Sequence, residues 1–440
     1  MVEYDNEKFP IHKAAFHNDV QTLSRLLSEG EIDIGAQDPH GNTPLHIATM
    51  LGHKEAITLL LSKNAPVKTK NSQGYSSLME AISYGNRQTI NLMLRKLKSQ
   101  AREHLSSRKP HLMKVLGSID DFYMEIKWDF HSWVPLLTRI LPSDVCKIYK
   151  HGTALRMDTT LVDFNDRSWE RGDISFIYNP QVEHLKQHLV VLDNKKKVYQ
   201  KLKNSSVEKD IEEEVDVLMS SDIVSAQMST KPITFQPMMA GWFFRHEKSD
   251  MVGTFSTNYY NVDNLNLVSK KRREHLTQDD IKNNKTYLQS FAHGKNIPDE
   301  NDMKSFEHRP DLPPPAIPKV TWEEYIYSSE FVHLGRPMDV KINSKSFKAG
   351  IGLSPEFPLG VNTLIDILEV IAPLKHMNKM RHFCEGRMPH GFPVRLEIPL
   401  LPTITAKITF QKFQWCDNLS MKFFRVPRSY TEDTNRFPEL

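Results

Sequence analysis

One stretch of this chain repeats itself, and that repeat limits the fold more than any other feature. Pro10-Ile11-His12-Lys13-Ala14-Ala15 returns as Thr43-Pro44-Leu45-His46-Ile47-Ala48 and again, altered, as Ser77-Leu78-Met79-Glu80-Ala81. His12 and His46 stand 34 positions apart, and Ala48 and Ala81 stand 33 apart. Each block is followed by a second apolar set: Leu23, Leu26 and Leu27, then Ile57, Leu60 and Leu61, then Ile90, Met93 and Leu94. A fixed period of this length means one small unit stacked on copies of itself, because a single unit cannot bury its apolar face alone.

The period and the T-P-L-H-x-A wording are those of ankyrin repeats, each a turn followed by two helices. Thr43 suits a helix N-cap and Pro44 the first helical turn. Ala48 and Ala81 let paired helices approach, and Gly41 and Gly74 stand where turns need unusual backbone angles. The third repeat has lost the proline and the histidine. Three repeats are near the minimum for a stable stack, so the array is expected to lean on the domain C-terminal to it. Such stacks present binding surfaces at their turn tips. Asp38, His40, Asn42, Asn71, Gln73 and Tyr75 are therefore the candidate protein-binding residues, with His40 and Tyr75 foremost.

Beyond the repeats (residues 1–107) the pattern changes. Leu112, Val115, Leu116, Ile119, Phe122 and Ile126 follow helical spacing, which predicts a capping and connecting helix over 108–127. A short helix is expected from Trp133 to Leu141, with Trp133, Leu136 and Leu137 packing the junction. From 128 to 440 the chain reads as one α+β domain, a largely antiparallel sheet with flanking helices. Alternating runs at 155–162 and 174–178, the pair 188–193 and 197–202 flanking a hairpin turn, and runs at 233–245, 251–260, 394–400 and 404–410 are its strands. The final hairpin is expected to complete the sheet that starts near residue 155. Helices are expected at 321–328 and from Val361 to Ile371. Mobile insertions are expected near 203–230, where Ile211, Val215 and Leu218 at helical spacing also allow a surface helix, and near 293–318, which ends in Pro313-Pro314-Pro315. Gly350–Gly360 reads as a loop, and Lys270–Arg273 as a solvated loop with lipid binding or a nuclear signal as lesser alternatives.

Composition excludes several functions. The chain has 440 residues, 57 basic against 54 acidic, and a net charge of +3, without the strong basic face of a nucleic-acid binder. Its three cysteines are odd in number and widely spaced, so a disulfide framework is not expected and a reducing compartment is. The N-terminus lacks a signal-peptide core, and no run of about 18 apolar residues exists. Neither GxxxxGK[ST], GxGxxG nor GxSxG occurs. Asp163, Asp166 and Asp173 with His131 and His151 read as turn and strand-end residues. His376, His382, Cys384 and His390 fit no zinc spacing. No catalytic residue, cofactor or metal is expected.

Five stretches carry a family resemblance: FHSWVPLLTRILPSDVCKIYKHGTALRMDTTLVDF, WERGDISFIYN, LVVLDNKKKVYQ, Gly241–Phe244, and GLSPEFPLGVNTLIDILEV through to Phe410. Together with the repeats, they resemble the ankyrin repeat domain 13 family. The resemblance implies a domain described as a chaperone for G-protein-coupled receptors. One branch of the family continues into ubiquitin-interacting helices, which need an acidic run before an Ala-x-x-Ser pattern. The chain ends at Leu440 without one, so it is most similar to the C-type branch. That implies a non-enzymatic protein on the cytosolic face of the endoplasmic reticulum membrane, attached peripherally. It would bind cytosolic loops or tails of receptors and control their exit. The alternatives are an adaptor for ubiquitinated or endocytosed receptors and a lipid-binding domain.

Overall fold

The computed structural model describes residues 8–30, 32–132, 141–165, 168–181, 188–201, 208–229, 232–241, 244–292, 309–316, 318–371, 377–401 and 404–437. Residues 133–140, which hold most of the short helix that the sequence predicts, and 293–308, most of the second expected insertion, lie outside that set. The chain forms two units, each assembled from separated segments. The first joins residues 1–104, 206–227 and 267–344; the second joins 105–205, 228–266 and 345–440. Two segments that read as parts of the C-terminal domain thus group with the repeats.

In the first unit the repeats form three helix pairs: α1 (Pro10–Phe16) with α2 (Val20–Glu29), α3 (Pro44–Leu51) with α4 (Lys54–Ser62), and α5 (Ser77–Tyr84) with α6 (Arg87–Gly117). The signature histidine accounts for its own place. His46 Nδ1 accepts the Thr43 backbone N–H at 3.1 Å, and Nε2 reaches the Tyr75 carbonyl of the next repeat at 3.1 Å. Burial lowers the His46 pKa, which keeps the ring neutral for this donor–acceptor role. His12 makes the matching contact to Ala36 O at 3.0 Å. The third repeat's first helix, lacking the histidine, is capped by Ser76, whose side chain accepts from Met79 N.

The stack is extended by two later helices. Ile211, Val215 and Met219 of α7 (Glu208–Ser220) are buried in the same core as Leu60, Ile90 and Met93. The next helix in the chain is α8 (Gln278–Ala292). Trp322, Tyr325 and Ile326 of α9 (Trp322–Ile326) bury against Ile47 and Met50 of α3. The expected insertion near 203–230 is in its described part a helix with a buried face, followed by a strand.

The second unit is built on a sheet. Its first six strands run as a meander: β1 (Phe122–Ser132), β2 (Ser143–His151), β3 (Ala154–Asn165), β4 (Ser168–Tyr178), β5 (Leu189–Asp193) and β6 (Val198–Lys201). Then come β7 (Ile223–Ser229), β8 (Thr234–Pro237), β9 (Met239–Ala240), β10 (His246–Glu247), β11 (Ser249–Val252), β12 (Phe255–Arg272), β13 (Val340–Ser354), β14 (Phe392–Leu401), β15 (Ile404–Trp415) and β16 (Thr431–Glu432), of which residues 223–227, 267–272 and 340–344 group with the first unit. The strand order is β11-β12-β13-β14-β15-β1-β2-β3-β4-β5-β6-β16, with β7 and β8 also on β12. Ladders from β13 through β6 are antiparallel, and β16 joins β6 in parallel. The final hairpin completes the sheet by pairing β15 with β1 from Trp415 to Ile404. One apolar face is closed by aromatic packing: Phe357 stacks on Phe392 at 4.1 Å and meets Phe410 and Phe413. Helices α10 (Val361–Ile371) and α11 (Met377–Gly386) follow β13.

Three expectations need correction. The helix expected over 108–127 ends at Gly117, and Phe122 begins β1. Phe122 and Ile126 are four apart, a spacing that puts side chains on one face of a helix or of a strand alike. Gly350 and Gly352 are not in a loop but inside β13, where a Cβ on Gly352 would fall 2.8 Å from Thr257. Lys270–Arg273 is not a solvated loop. It closes β12, and Arg272 is fully buried.

Candidate protein-binding face of the repeat stack

The turn tips are built the same way twice. Asp38 Oδ1 accepts the N–H groups of His40 and Asn42 at 2.9 and 2.8 Å. One repeat later Asn71 Oδ1 accepts those of Gln73 and Tyr75 at 3.1 and 3.0 Å. Gly41 has φ +75°, and a Cβ there would lie 2.5 Å from Ser72 N, so a glycine is required both for angle and for clearance. The tips are tied together, since Asn71 Nδ2 donates to Asn42 Oδ1 at 3.0 Å. The sequence-predicted residues are therefore brought together, but five of the six are buried and Gln73 is half-buried.

Their cover comes from the same chain. Tyr325 of α9 donates its hydroxyl to Asp38 Oδ2 at 2.6 Å and accepts from Asn42 Nδ2 at 2.8 Å. His40 Nε2 reaches Tyr325 O at 2.7 Å, and the two rings pack with centroids 4.7 Å apart. Burial, then the adjacent Asp38 carboxylate, pushes the Tyr325 phenol far above its ordinary pKa, so it stays a donor. At the next tip, Lys270 Nζ donates to Gln73 O and Oε1, both at 3.3 Å, and Ser225 Oγ donates to Gly74 O at 2.8 Å.

Beside Tyr75 lies a charge cluster that the sequence did not reveal. The Arg272 guanidinium sits 4.6 Å from the centre of the Tyr75 ring. It donates to both Glu80 oxygens at 2.9 and 3.0 Å, to Glu274 at 2.7 Å and to Ser83 Oγ at 2.9 Å. His333 Nε2 adds a contact to Glu80 at 3.1 Å. Burial alone would raise the Glu80 carboxyl, but Arg272 and His333 outweigh it and hold it at about 2. Burial would also lower Arg272, and Glu80 with Glu274 raise it instead. The cluster sets the Arg272 guanidinium and the His333 ring against two carboxylates, an arrangement suited to holding segments together. The only local hint is Glu80 itself, a carboxylate in an otherwise uncharged helix.

The remaining motif residues are engaged elsewhere. His151 bonds Asp121, His131 pairs with Asp129, and Asp173 accepts from Asn194. The Asp163 and His382 side chains, Asp166 and His376 lie outside the described set. No group of three or more His, Cys, Asp or Glu residues arranged for a metal occurs among the described residues. Nor is any described helix long and apolar enough to cross a membrane. Arg87 bridges Glu212 and Asp216 beside an open concavity of about 330 Å³, so that charge is already paired.

Comparison with known proteins agrees with this architecture. Residues 11–103 match the family profile "Ankyrin repeats (3 copies)", and residues 156–438 match "ANKRD13 C-terminal". Ankyrin repeat domain-containing protein 13C of Mus musculus is 51% identical over 436 residues, which cover 98% of this chain and 79% of that protein. The Homo sapiens protein of that name is also 51% identical, with the same coverage. Ankyrin repeat domain-containing protein 13B of Mus musculus is 34% identical over 93% of this chain and 68% of its own length. The chain belongs to the ankyrin repeat domain 13 family.

Proposed function

We propose that this protein is a non-enzymatic chaperone for G-protein-coupled receptors, acting at the cytosolic face of the endoplasmic reticulum membrane. It binds cytosolic loops or tails of receptors during biogenesis and regulates their exit. The observation that carries this reading is the similarity to 13C proteins along 98% of the chain. The site geometry is consistent with binding, because the buried charges beside Tyr75 are engaged with one another. Membrane attachment in this reading is peripheral.

The test is a pulse-chase of a newly made receptor in cells depleted of the protein and then resupplied with it. Acquisition of complex glycans reports exit, and co-purification of the core-glycosylated receptor reports binding. Altered exit kinetics, restored on resupply, are expected. Unchanged kinetics with no receptor recovered would overturn the proposal. Direct ubiquitin binding in a parallel pull-down would favour the adaptor reading instead.

A further inference from the structure

We propose that the repeat stack is a reader of short capped helical turns bearing aromatic residues at i and i+3, and that residues 321–336 are its resident ligand. A partner segment of the same chemistry would bind by replacing them. This does not depend on the receptor assignment, since it concerns what the stack recognises rather than which protein supplies it.

The resident segment has the marks of a bound peptide. Thr321 and Glu324 form a reciprocal capping box, so a single helical turn holds its shape without a longer helix. That turn places Trp322 and Tyr325 at i and i+3, with Ile326 next to them. Trp322 meets Phe16, Tyr325 meets Phe16 and His40, and all three bury against Ile47 and Met50. Specificity comes from the polar end: Asp38, His40 and Asn42 together read one phenol and one carbonyl of Tyr325. These are the turn-tip positions at which a repeat stack meets its partners.

Lifting the segment takes His333 from Glu80 and uncovers Ile47 and Met50, but leaves the bonds within the turn tips in place. No strand lies between Arg309 and Asp339 among the described residues, so lifting the segment breaks no ladder there. Asp38 keeps the N–H groups of His40 and Asn42 as donors when Tyr325 leaves. The other contacts to the stack are one backbone bond, Leu312 N to Gly85 O at 2.9 Å, and side-chain bonds: Asp311 accepts from the Asn86 side chain and from Arg87 N, and Arg336 donates to Ser83 O and Tyr84 O. A tethered ligand acts at an effective concentration on the order of millimolar, so a free peptide competes only where the resident turn is weakened.

The experiment uses the full chain and a fluorescent peptide of residues 319–330, read by anisotropy. Trp322→Ala/Tyr325→Ala should bind this peptide saturably and the unaltered chain at least roughly tenfold more weakly, the factor that a millimolar tether gives against a peptide of about 100 μM affinity. Asp38→Ala in the double-variant background should abolish binding, and so should Tyr→Ala in the peptide. Absence of binding by a double variant whose α3 and α4 amides keep their exchange protection would overturn the proposal. Equal binding to both chains would do the same. Should the double variant not fold, hydrogen exchange of the unaltered chain decides. Amides of 322–336 exchanging well ahead of α3 and α4 support a ligand that lifts off, and equal protection refutes it.

Discussion

Replacing Glu80 with glutamine tests whether the buried ion pair holds the first unit together. Glutamine keeps the shape and one acceptor but leaves Arg272, fully buried, with Glu274 in place of two carboxylate partners. Removing one member of a buried pair costs about 3–5 kcal/mol when the other charge is left unpaired; Arg272 keeps Glu274, which puts the cost at the lower end of that range. The titration argument gives a similar size. A carboxyl held at about 2 against an ordinary 4.5 contributes roughly 3 kcal/mol once both states are ionised. Because the folded-state value is depressed, this contribution is complete above pH 4.5 and is lost as pH falls from there toward 2. The assay is hydrogen exchange of the α5 amides, which reports opening of this unit without assuming that both units unfold together. Glu80→Gln should lower that opening free energy by about 3 kcal/mol at pH 7, and the gap should close as pH falls. A loss below about 1 kcal/mol, or a gap independent of pH, would refute the reasoning.

Two further substitutions probe other parts of the fold. Gly253 has φ +60°, and a Cβ there would lie 1.8 Å from the Gln411 carbonyl, which is backbone and cannot step aside. Gly253→Ala should destabilise the sheet unit by about 3 kcal/mol or more, and an unchanged calorimetric transition would contradict this. Burial lowers His275 to about 4 from 6.5, and its Nε2 contacts Ser221 O at 3.0 Å. The unfolded chain therefore takes up this proton first, and stability falls as pH drops from 6.5 to 4, by up to roughly 3 kcal/mol. His275→Gln should flatten that slope in α7 exchange measurements, and an unaltered slope would assign it to another group.

The repeats are legible because their information is local: a capping residue, a proline, a histidine and a glycine at fixed offsets. The alternating strands near residues 155–178 and 394–410 are legible for the same reason. Errors arise where a local pattern fits two periods, as with Phe122 and Ile126, or where glycines hide a strand, as at Gly350 and Gly352. The turn tips can be found as a set, but their occupant cannot, because Tyr325 lies 285 positions from His40. Four consecutive basic residues look solvated when read in a row. Only the fold brings Glu80 to Arg272, Asp222 to Lys271 and Arg273, and Gln73 to Lys270.

The scattered composition of the first unit also sets a timetable. Its repeats leave the ribosome first, yet its last segment, ending at Ser344, is made some 240 residues after His104. At ordinary elongation rates that interval is on the order of tens of seconds. For most of it, the apolar wall of Ile47 and Met50 has neither Trp322 nor Tyr325 to cover it, and Glu80 waits for Arg272. The nascent chain thus carries an uncovered aromatic-binding surface for much of its own synthesis.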